Sequence, residues 1–510
     1  MTQHPFRRLA IVNRGEPAMR VIHAVRELND ERDETITLIA LHTDPDRDAL
    51  FVRRADEAIS LGPARPGYLD LGLLERALVA AHADAAWVGW GFVAEQPEFV
   101  ELCERLGIVF VGPGADAMRR VGDKIAAKLL AQEAGLPVAP WSGGPVETVE
   151  DALRHAAEIG FPLMIKASAG GGGRGIRRVE RPDELPAAFE SARAEARDGF
   201  GDGTVLLEKV IAPARHVEVQ VIADGQGAAW AVGVRDCSYQ RRNQKVVEES
   251  ASPALTAEQE RKLCEDSARL ALHAGYRSAG TVEFLLEPAT GRLSFMELNA
   301  RLQVEHPATE MVTGLDLVKL QLHVAAGGRL EGDPPVPHGH AIEARLNAED
   351  PALGFAPAPG RIALLRLPAG PGVRVDAGVA EGDVIPPDFD SMIAKVLAWG
   401  RDRREALSRL RRAIAETMVV VEGGTTNQGF LLELLDRPEV RAGEVDTTWL
   451  DELQLRGEIA PARHAELALL QAAIELAEGE TAIDRARFYA FARRGRPQAD
   501  TATARTVELR

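Results

Sequence analysis

Cysteine is almost missing from this chain: Cys103, Cys237 and Cys264 are the only three in 510 residues. Their spacing fits no metal-ligand pattern, and an odd number cannot pair fully. That excludes a disulfide-stapled scaffold and suits a reducing, cytoplasmic setting. No run approaches the roughly 18 apolar residues of a membrane span. The opening MTQHPFRRLAIVNRG lacks the long apolar stretch of a signal peptide. Positive charge is outnumbered, with 60 Lys and Arg against 77 Asp and Glu and a net charge of -17. Nucleic-acid binding through general basicity is therefore excluded, although local cationic sites for phosphates are not. The G-x-G-x-x-G loop of dinucleotide sites and the G-x-x-x-x-G-K-[ST] phosphate loop are both missing. What remains is an ordinary globular composition, 45% hydrophobic and 27% charged, long enough for two to four domains.

From residue 6 to about 137 the pattern alternates strand and helix: RLAIVN, PAMRVIHAVRELN, TITLIALHT, YLDLGLLERALVAAHA, AAWVGW, PEFVELCERLG, IVFVGP, and AMRRVGDKIAAKLLAQEAG as one closing helix. Such alternation predicts a mainly parallel sheet covered on both faces. Residues 138–210 change character: a helix, the strand FPLMIKAS, a glycine run, the strand IRRVE, a second helix and the strand TVLLEKV. Residues 211–450 read as a larger α+β unit. RIALLRL, GVRVDAGV and HAIEARLNAED are strands of one closing sheet. Residues 451–510 hold two separable helices, ARHAELALLQAAIELAEG and AIDRARFYAFARRG.

Two stretches carry chemistry. TVEFLL and LSFMELN, joined by Pro288-Ala289-Thr290-Gly291, read as a hairpin. The midpoint of 283 and 297 falls inside the turn, so Glu283 and Glu297 should face each other, with Asn299 on the same face as Glu297. Opposed carboxylates destabilise a strand pair unless something positive lies between them. Two carboxylates and an amide oxygen are hard ligands of the kind Mg²⁺ accepts beside phosphates. A solvated polar face is the plainer alternative. The second stretch is Ala169–Gly175, five glycines in six positions with Lys166 before it and Arg174 within it. Such a run in isolation is more often a linker. Its brevity, between two strands, suits a mobile cover for phosphates.

Together these segments resemble the biotin carboxylase family of the ATP-grasp fold, from about residue 7 to about 450. The motifs are VNRGE at 12–16, GDK at 122–124, IKASAGGGGRG at 165–175, RDCSYQRRNQKVVEE at 235–249, MELNARLQVEHPATEM at 296–311, EARLNAEDP at 343–351 and DFDSMIAK at 388–395. The resemblance implies α/β and α+β architecture, with a Rossmann-like N-terminal domain (1–137), a glycine-rich ATP-grasp lid (138–210) and a larger C-terminal domain (211–450). It implies ATP, Mg²⁺ (or Mn²⁺) and bicarbonate, with biotin carried on a separate domain or subunit. A carboxyltransferase partner and an oligomer are expected, and no nucleic-acid or membrane partner.

By position, the resemblance assigns ATP phosphates to Lys124, Lys166 and the amides of Gly171, Gly172 and Gly173. The rest of the nucleotide falls to Glu208, Lys209, Ile211, His216, Gln240 and Asn243. Glu283, Glu297 and Asn299 take the metal. Lys245, Arg301, Gln303 and Val304 form the bicarbonate pocket, and Glu305 is the general base. A glutamate of ordinary pKa near 4.3 is already ionised at pH 7 and needs only placement. Arg345 would stabilise the enolate-like oxygen of biotin, with Asp390 orienting that arginine. His306 is read as structural.

Trp87, Val88 and Trp90 resemble the large multidomain acyl-CoA carboxylases, and Asn243 stands where histidine is common. The expectation is a biotin carboxylase subunit or domain of an acyl-CoA carboxylase, in fatty acid metabolism. No biotin-attachment motif is visible. Residues past 450 read as a helical connector, a partner-binding tail or the start of a longer chain. The alternatives are another ATP-grasp carboxylate–amine ligase and a catalytically silent nucleotide-binding subunit.

Overall fold

The structure is a computed structural model, and it describes residues 6–32, 35–168, 175–459, 465–492 and 495. The glycines expected over the phosphates, Gly171 to Gly173, lie outside the described residues, as does Arg174.

The first sheet is parallel throughout. In spatial order it runs Glu57–Ser60, Thr37–His42, Arg8–Ile11, Ala85–Trp87, Val109–Phe110. Leu9, Ala10 and Ile11 are fully buried because helices cover both faces. Strand Glu57–Ser60 was not expected; its largely exposed EAIS carries no apolar run.

The single helix expected over 117–135 is two, Ala115–Gly122 and Lys124–Glu133. Asp123 breaks it by capping the second: its Oδ1 accepts the Ala126 N–H at 2.7 Å, while Oδ2 accepts the Ser168 hydroxyl at 2.6 Å. The break sets Lys124 at a helix start against the end of strand Leu163–Ala167, where its N–H donates to the Ser168 carbonyl.

That strand lies between Ile176–Val179 and Val205–Lys209 in a three-stranded antiparallel sheet. Helices Val149–Ile159 and Leu185–Phe200 pack on it through Ile165, Leu207, Leu185 and Phe189.

The main sheet has eight antiparallel strands. Their order is Arg292–Asn299, Arg277–Glu287, Arg215–Asp224, Ala229–Arg241, Gln244–Ser250, His340–Asn347, Met392–Gly400, Val373–Ala377. The expected closing sheet is thus divided. RIALLRL leaves it for a three-stranded sheet, Gly360–Arg366 with Val384–Ile385 and Met418–Glu422. The central hairpin pairs Glu283 with Glu297. A bulge follows, so Phe284 pairs with Phe295.

The two tail helices are one, Ala465–Ala492. Gly479 lies inside it; a helical glycine costs only about 1 kcal/mol against alanine, and alanine, leucine and glutamate surround it. Leu467, Leu469, Leu470, Ile474, Leu476 and Ile483 are exposed on it. No described helix is long and apolar enough to cross a membrane.

One buried ion-pair cluster ties the main sheet to the helix Arg403–Glu416. Glu249 accepts from Arg403 Nε at 2.7 Å and lies 2.7 Å from His340 Nε2. Burial opposes its charge, but His340 and Arg403 hold its pKa below the ordinary carboxylate value. The depressed folded value means that its contribution is complete above the unfolded pKa near 4.3 and disappears as pH falls below it. Glu249→Gln should therefore cost about 3 kcal/mol in urea unfolding at pH 7. The gap from wild type should narrow below pH ~4.3; a pH-independent gap would contradict the charge argument.

Candidate functional site

Register alone assembles the centre. Glu297 pairs with Glu283, Glu283 with Glu218, and Glu218 with Arg235, across four neighbouring strands. Paired residues share a face, so three carboxylates stand side by side and end against a guanidinium. Arg235 is fully buried and donates from Nε to Glu218 Oε1 at 2.6 Å. Its other nitrogens donate to Gln220, Thr309, Thr281 and Gln303. A positive group is expected between Glu283 and Glu297; Lys124 acts on Glu297, while the cation beside Glu283, shared with Glu218 and Glu305 instead, is Lys245. Its Nζ lies 2.7 Å from Glu218 Oε2, 3.3 Å from Glu283 Oε1 and 2.5 Å from Glu305 Oε1.

Burial opposes charge on Glu283, yet Lys245 and His216 hold its pKa below normal. At Glu297 burial wins, reinforced by repulsion from Glu283, and the pKa is raised. A divalent cation between the two would remove that repulsion, so the donor set fits Mg²⁺. Asn299, which pairs with Thr281, has its Oδ1 engaged by Arg301 at 3.2 Å and a buried amide nitrogen without a hydrogen-bond partner among the described residues.

Glu305 caps no backbone itself but stands at the N-cap position of helix His306–Thr313, where a negative charge is favoured. This helix was not expected from the sequence. Glu305 accepts from Lys245 and from Arg345 Nη2 at 3.0 Å. Burial would raise its pKa, but Lys245, Arg345 and Arg235 pull it well below the ordinary value. The assumption of an unperturbed base is thus corrected: two cations hold the carboxylate at once. Gln303 Nε2 donates to Glu283 Oε1 at 2.8 Å. The Val304 carbonyl accepts from Lys395 at 2.9 Å. Arg301 joins through Asn299 and through Glu95, whose Oε2 accepts from its Nε at 2.8 Å. His306 is fully buried, with Nδ1 2.7 Å from the Gln303 carbonyl, in keeping with a structural role.

Arg345 is not oriented by Asp390. Asp390 is exposed and accepts the Met392 N–H. Glu248, fully buried, holds the guanidinium instead, accepting from Nε at 2.6 Å and from Nη2. Burial pushes Glu248 up to about 7 against that contact.

The lid-side residues form a second group. Lys166 lies 2.7 Å from Glu208 Oε2, and Lys128 pairs with the same carboxylate. Lys124 feels Glu297 and is repelled by Lys166. Lys209 turns elsewhere and donates to the Phe161 carbonyl at 2.8 Å. Ile211 is half-buried beyond the same strand. His216 Nε2 lies 3.1 Å from Glu283 Oε2 and Nδ1 2.6 Å from Gln240 Nε2. Asn243 is exposed in the hairpin turn after Arg241, where Arg242 and Asn243 both have positive φ. Sequence reasoning missed Glu95, Lys128, Glu218, Arg235, Glu248 and Lys395. The signal for Lys395, a lone lysine inside the apolar SMIAKVLAWG, was available.

Comparison with known proteins covers the same ground. Residues 5–118 match the biotin carboxylase N-terminal domain, 123–332 the ATP-binding domain of the carbamoyl-phosphate synthase L chain, and 343–452 the biotin carboxylase C-terminal domain. The biotin carboxylase of a Nostoc species is 44% identical over 452 residues, spanning 88% of this chain and 99% of its own. A pyruvate carboxylase subunit from Methanothermobacter thermautotrophicus is 43% identical, over 88% of this chain and 90% of its own. Among solved structures, the Campylobacter jejuni biotin carboxylase in a βγ-ATP complex superposes with a TM-score of 0.83 at 39% identity, covering 88% and 99%. The biotin carboxylase domain dimer of Hydrogenobacter thermophilus 2-oxoglutarate carboxylase, with MgADP, ADP and bicarbonate, gives 0.83 at 40% identity, covering 90% and 99%.

Because Glu218 answers both Arg235 and Lys245, Glu218→Gln leaves two cations under-compensated. It should cost about 3 kcal/mol in chemical unfolding, several times the effect of an exposed pair such as Arg261–Glu265. Equal costs would mean that the row of carboxylates is not electrostatically coupled.

Proposed function

The chain belongs to the biotin carboxylase family, and from that premise we propose that it uses ATP and bicarbonate to carboxylate biotin carried on a separate domain or subunit. The observation that carries this reading is Glu305, a buried carboxylate shared by Lys245 and Arg345 beside the opposed Glu283 and Glu297.

Lys124 and Lys166 hold the ATP phosphates as point charges, and the family resemblance assigns the amides of Gly171, Gly172 and Gly173, outside the described residues, to the same phosphates. Glu208, Lys209, Ile211, His216, Gln240 and Asn243 contribute to the nucleotide side. Glu283, Glu297 and Asn299 hold Mg²⁺, which when bound offsets the charge of the β- and γ-phosphates. Lys245, Arg301, Gln303 and the Val304 backbone seat bicarbonate, and arginine's fixed fork of donors suits a planar oxyanion. Glu305 removes the bicarbonate proton while a bicarbonate oxygen attacks the γ-phosphorus, giving ADP and carboxyphosphate. Carboxyphosphate breaks into CO₂ and phosphate; the phosphate takes the proton of biotin N1, and N1 then attacks CO₂. Arg345 stabilises the negative oxygen left on the ureido group. Asp390, exposed and engaged with backbone, keeps at most a place on the biotin side.

A ligase joining a carboxylate other than bicarbonate to an amine has no use for a bicarbonate clamp. The biotin carboxylase domains matched on either side of the ATP-binding domain favour biotin as the acceptor. Intact Glu283, Glu297 and Glu305 argue against a silent nucleotide-binding subunit. We place the reaction as the first half of an acyl-CoA carboxylase, on the likeness of the Trp87–Trp90 segment. Pyruvate and 2-oxoglutarate carboxylases among the relatives make the acceptor the open choice, decided by which carboxyltransferase restores full turnover. The exposed leucines of Ala465–Ala492 suit a helical connector or a partner-binding tail. A cytoplasmic location accords with three unpaired cysteines.

The test is ATP hydrolysis by the pure chain with and without bicarbonate and free biotin; hydrolysis indifferent to both ends the proposal. Glu305→Gln should lower biotin-dependent turnover by about 10²-fold or more while ATP binding persists. Lost ATP binding in that variant would refute the base assignment. Glu297→Gln should raise the Mg²⁺ concentration needed for half-maximal turnover, and an unchanged requirement would remove Glu297 from the ligand set.

A further inference from the structure

Lys395 is fully buried, although burying an unpaired ammonium costs several kcal/mol. It lies in strand Met392–Gly400 directly across from Arg345. Its Nζ reaches the other structural unit: Glu16 Oε1, at the start of helix Gly15–Arg32, is 3.1 Å away. The Trp90 ring centroid is 5.1 Å from the same nitrogen. Asp376 Oδ2 stands at 3.9 Å, and the fully buried Glu343 faces the same charge. One hydrogen bond distinguishes this lysine from a plain structural tie. Nζ donates to the Val304 carbonyl at 2.9 Å, on the residue before Glu305. The preceding carbonyl, of Gln303, meets His306 Nδ1 at 2.7 Å. The backbone that aims Glu305 is thus held at two consecutive carbonyls. Of these two contacts, that of Lys395 is anchored in the N-terminal sheet unit, through Glu16 and Trp90.

We propose that Lys395 is a positioning residue: held by Glu16, its ammonium fixes the Val304 carbonyl and so the direction in which Glu305 meets its substrate. This rests on the reading of Glu305 as the base for bicarbonate. Glu16 supports it as a partner, since burial raises its pKa to about 7 and Lys395 is the main influence opposing that rise.

The experiment compares the full chain with Lys395→Met, Lys395→Arg and the double variant Lys395→Met with Glu16→Gln, which removes both buried charges at nearly constant volume. Readouts are melting temperature, ATP affinity by calorimetry, and kcat, KM and pH profile of bicarbonate-dependent ATP hydrolysis. The expected result is a folded double variant with ATP affinity within about twofold of wild type, kcat reduced about tenfold or more, and a displaced acid limb of the kcat profile, as misplacing a general base demands. Lys395→Arg should recover part of that loss. A folded double variant with wild-type kcat would overturn the proposal. So would failure of all three variants to fold, because Lys395 would then be a structural support alone. A wild-type chain without bicarbonate-dependent hydrolysis would instead overturn the carboxylation reading, an outcome visible before any variant is made.

Discussion

Charge opposition across one sheet governs this molecule. Seven consecutive strands each present an ionised or ionisable group: Glu297, Glu283, Glu218, Arg235, Lys245, Arg345 and Lys395, in spatial order. The acidic members occupy one end and the cationic members the other. At 4 Å and an effective dielectric near 20, each unlike pair is worth about 4 kcal/mol before desolvation, and each like pair costs as much. The row is therefore tenable because its two halves meet and because carboxylates outside it answer the outer cations, Glu248 and Glu305 at Arg345 and Glu16 at Lys395. Arg235 sits at that junction against Glu218, and Lys245 on the next strand reaches back across it, touching Glu218, Glu283 and Glu305 together. The same polarity divides the chemistry: the acidic end suits a divalent cation, the cationic end an oxyanion, and the two meet within one side chain of each other.

Much of this was legible in the sequence, and the limits are instructive. Symmetric spacing about the turn pointed to the Glu283–Glu297 pair, but the chain reaches it only through the bulge between Glu283 and Phe284: the register at the turn, Glu287 with Arg292, would otherwise set Met296 opposite Glu283. Glu218 was invisible for a related reason. In ARHVEVQVIAD the alternation of apolar and polar residues reads as a strand with one wet face, yet His216, Glu218 and Gln220 are all buried. Their face is covered by segments distant in the chain, which local pattern cannot register. Asp390 and Glu248 show the same limit, since only the fold decides that Glu248 touches Arg345. Helix boundaries failed where a single side chain decided them: Asp123 split one expected helix, and Gly479 failed to split another.

The depressed pKa of Glu305 bears on how a base can work there. A carboxylate held by Lys245 and Arg345 is a weaker base than free glutamate, which runs against its proposed role. The opposition resolves on the proposed reading, in which Lys245 is also a donor to the incoming oxyanion. On that reading, bicarbonate seated at Lys245 would draw that ammonium away from Glu305, and the hydrogen bond withdrawn would return its proton affinity toward the ordinary value. Binding would thus restore basicity only where the proton to be removed is present. With ATP alone, the carboxylate would stay engaged and no base would be offered to water. Coupling of this kind needs a fixed carboxylate and a cation able to turn toward either partner. Fixation comes from backbone contacts at Gln303 and Val304, while the long side chain of Lys245 supplies the reach.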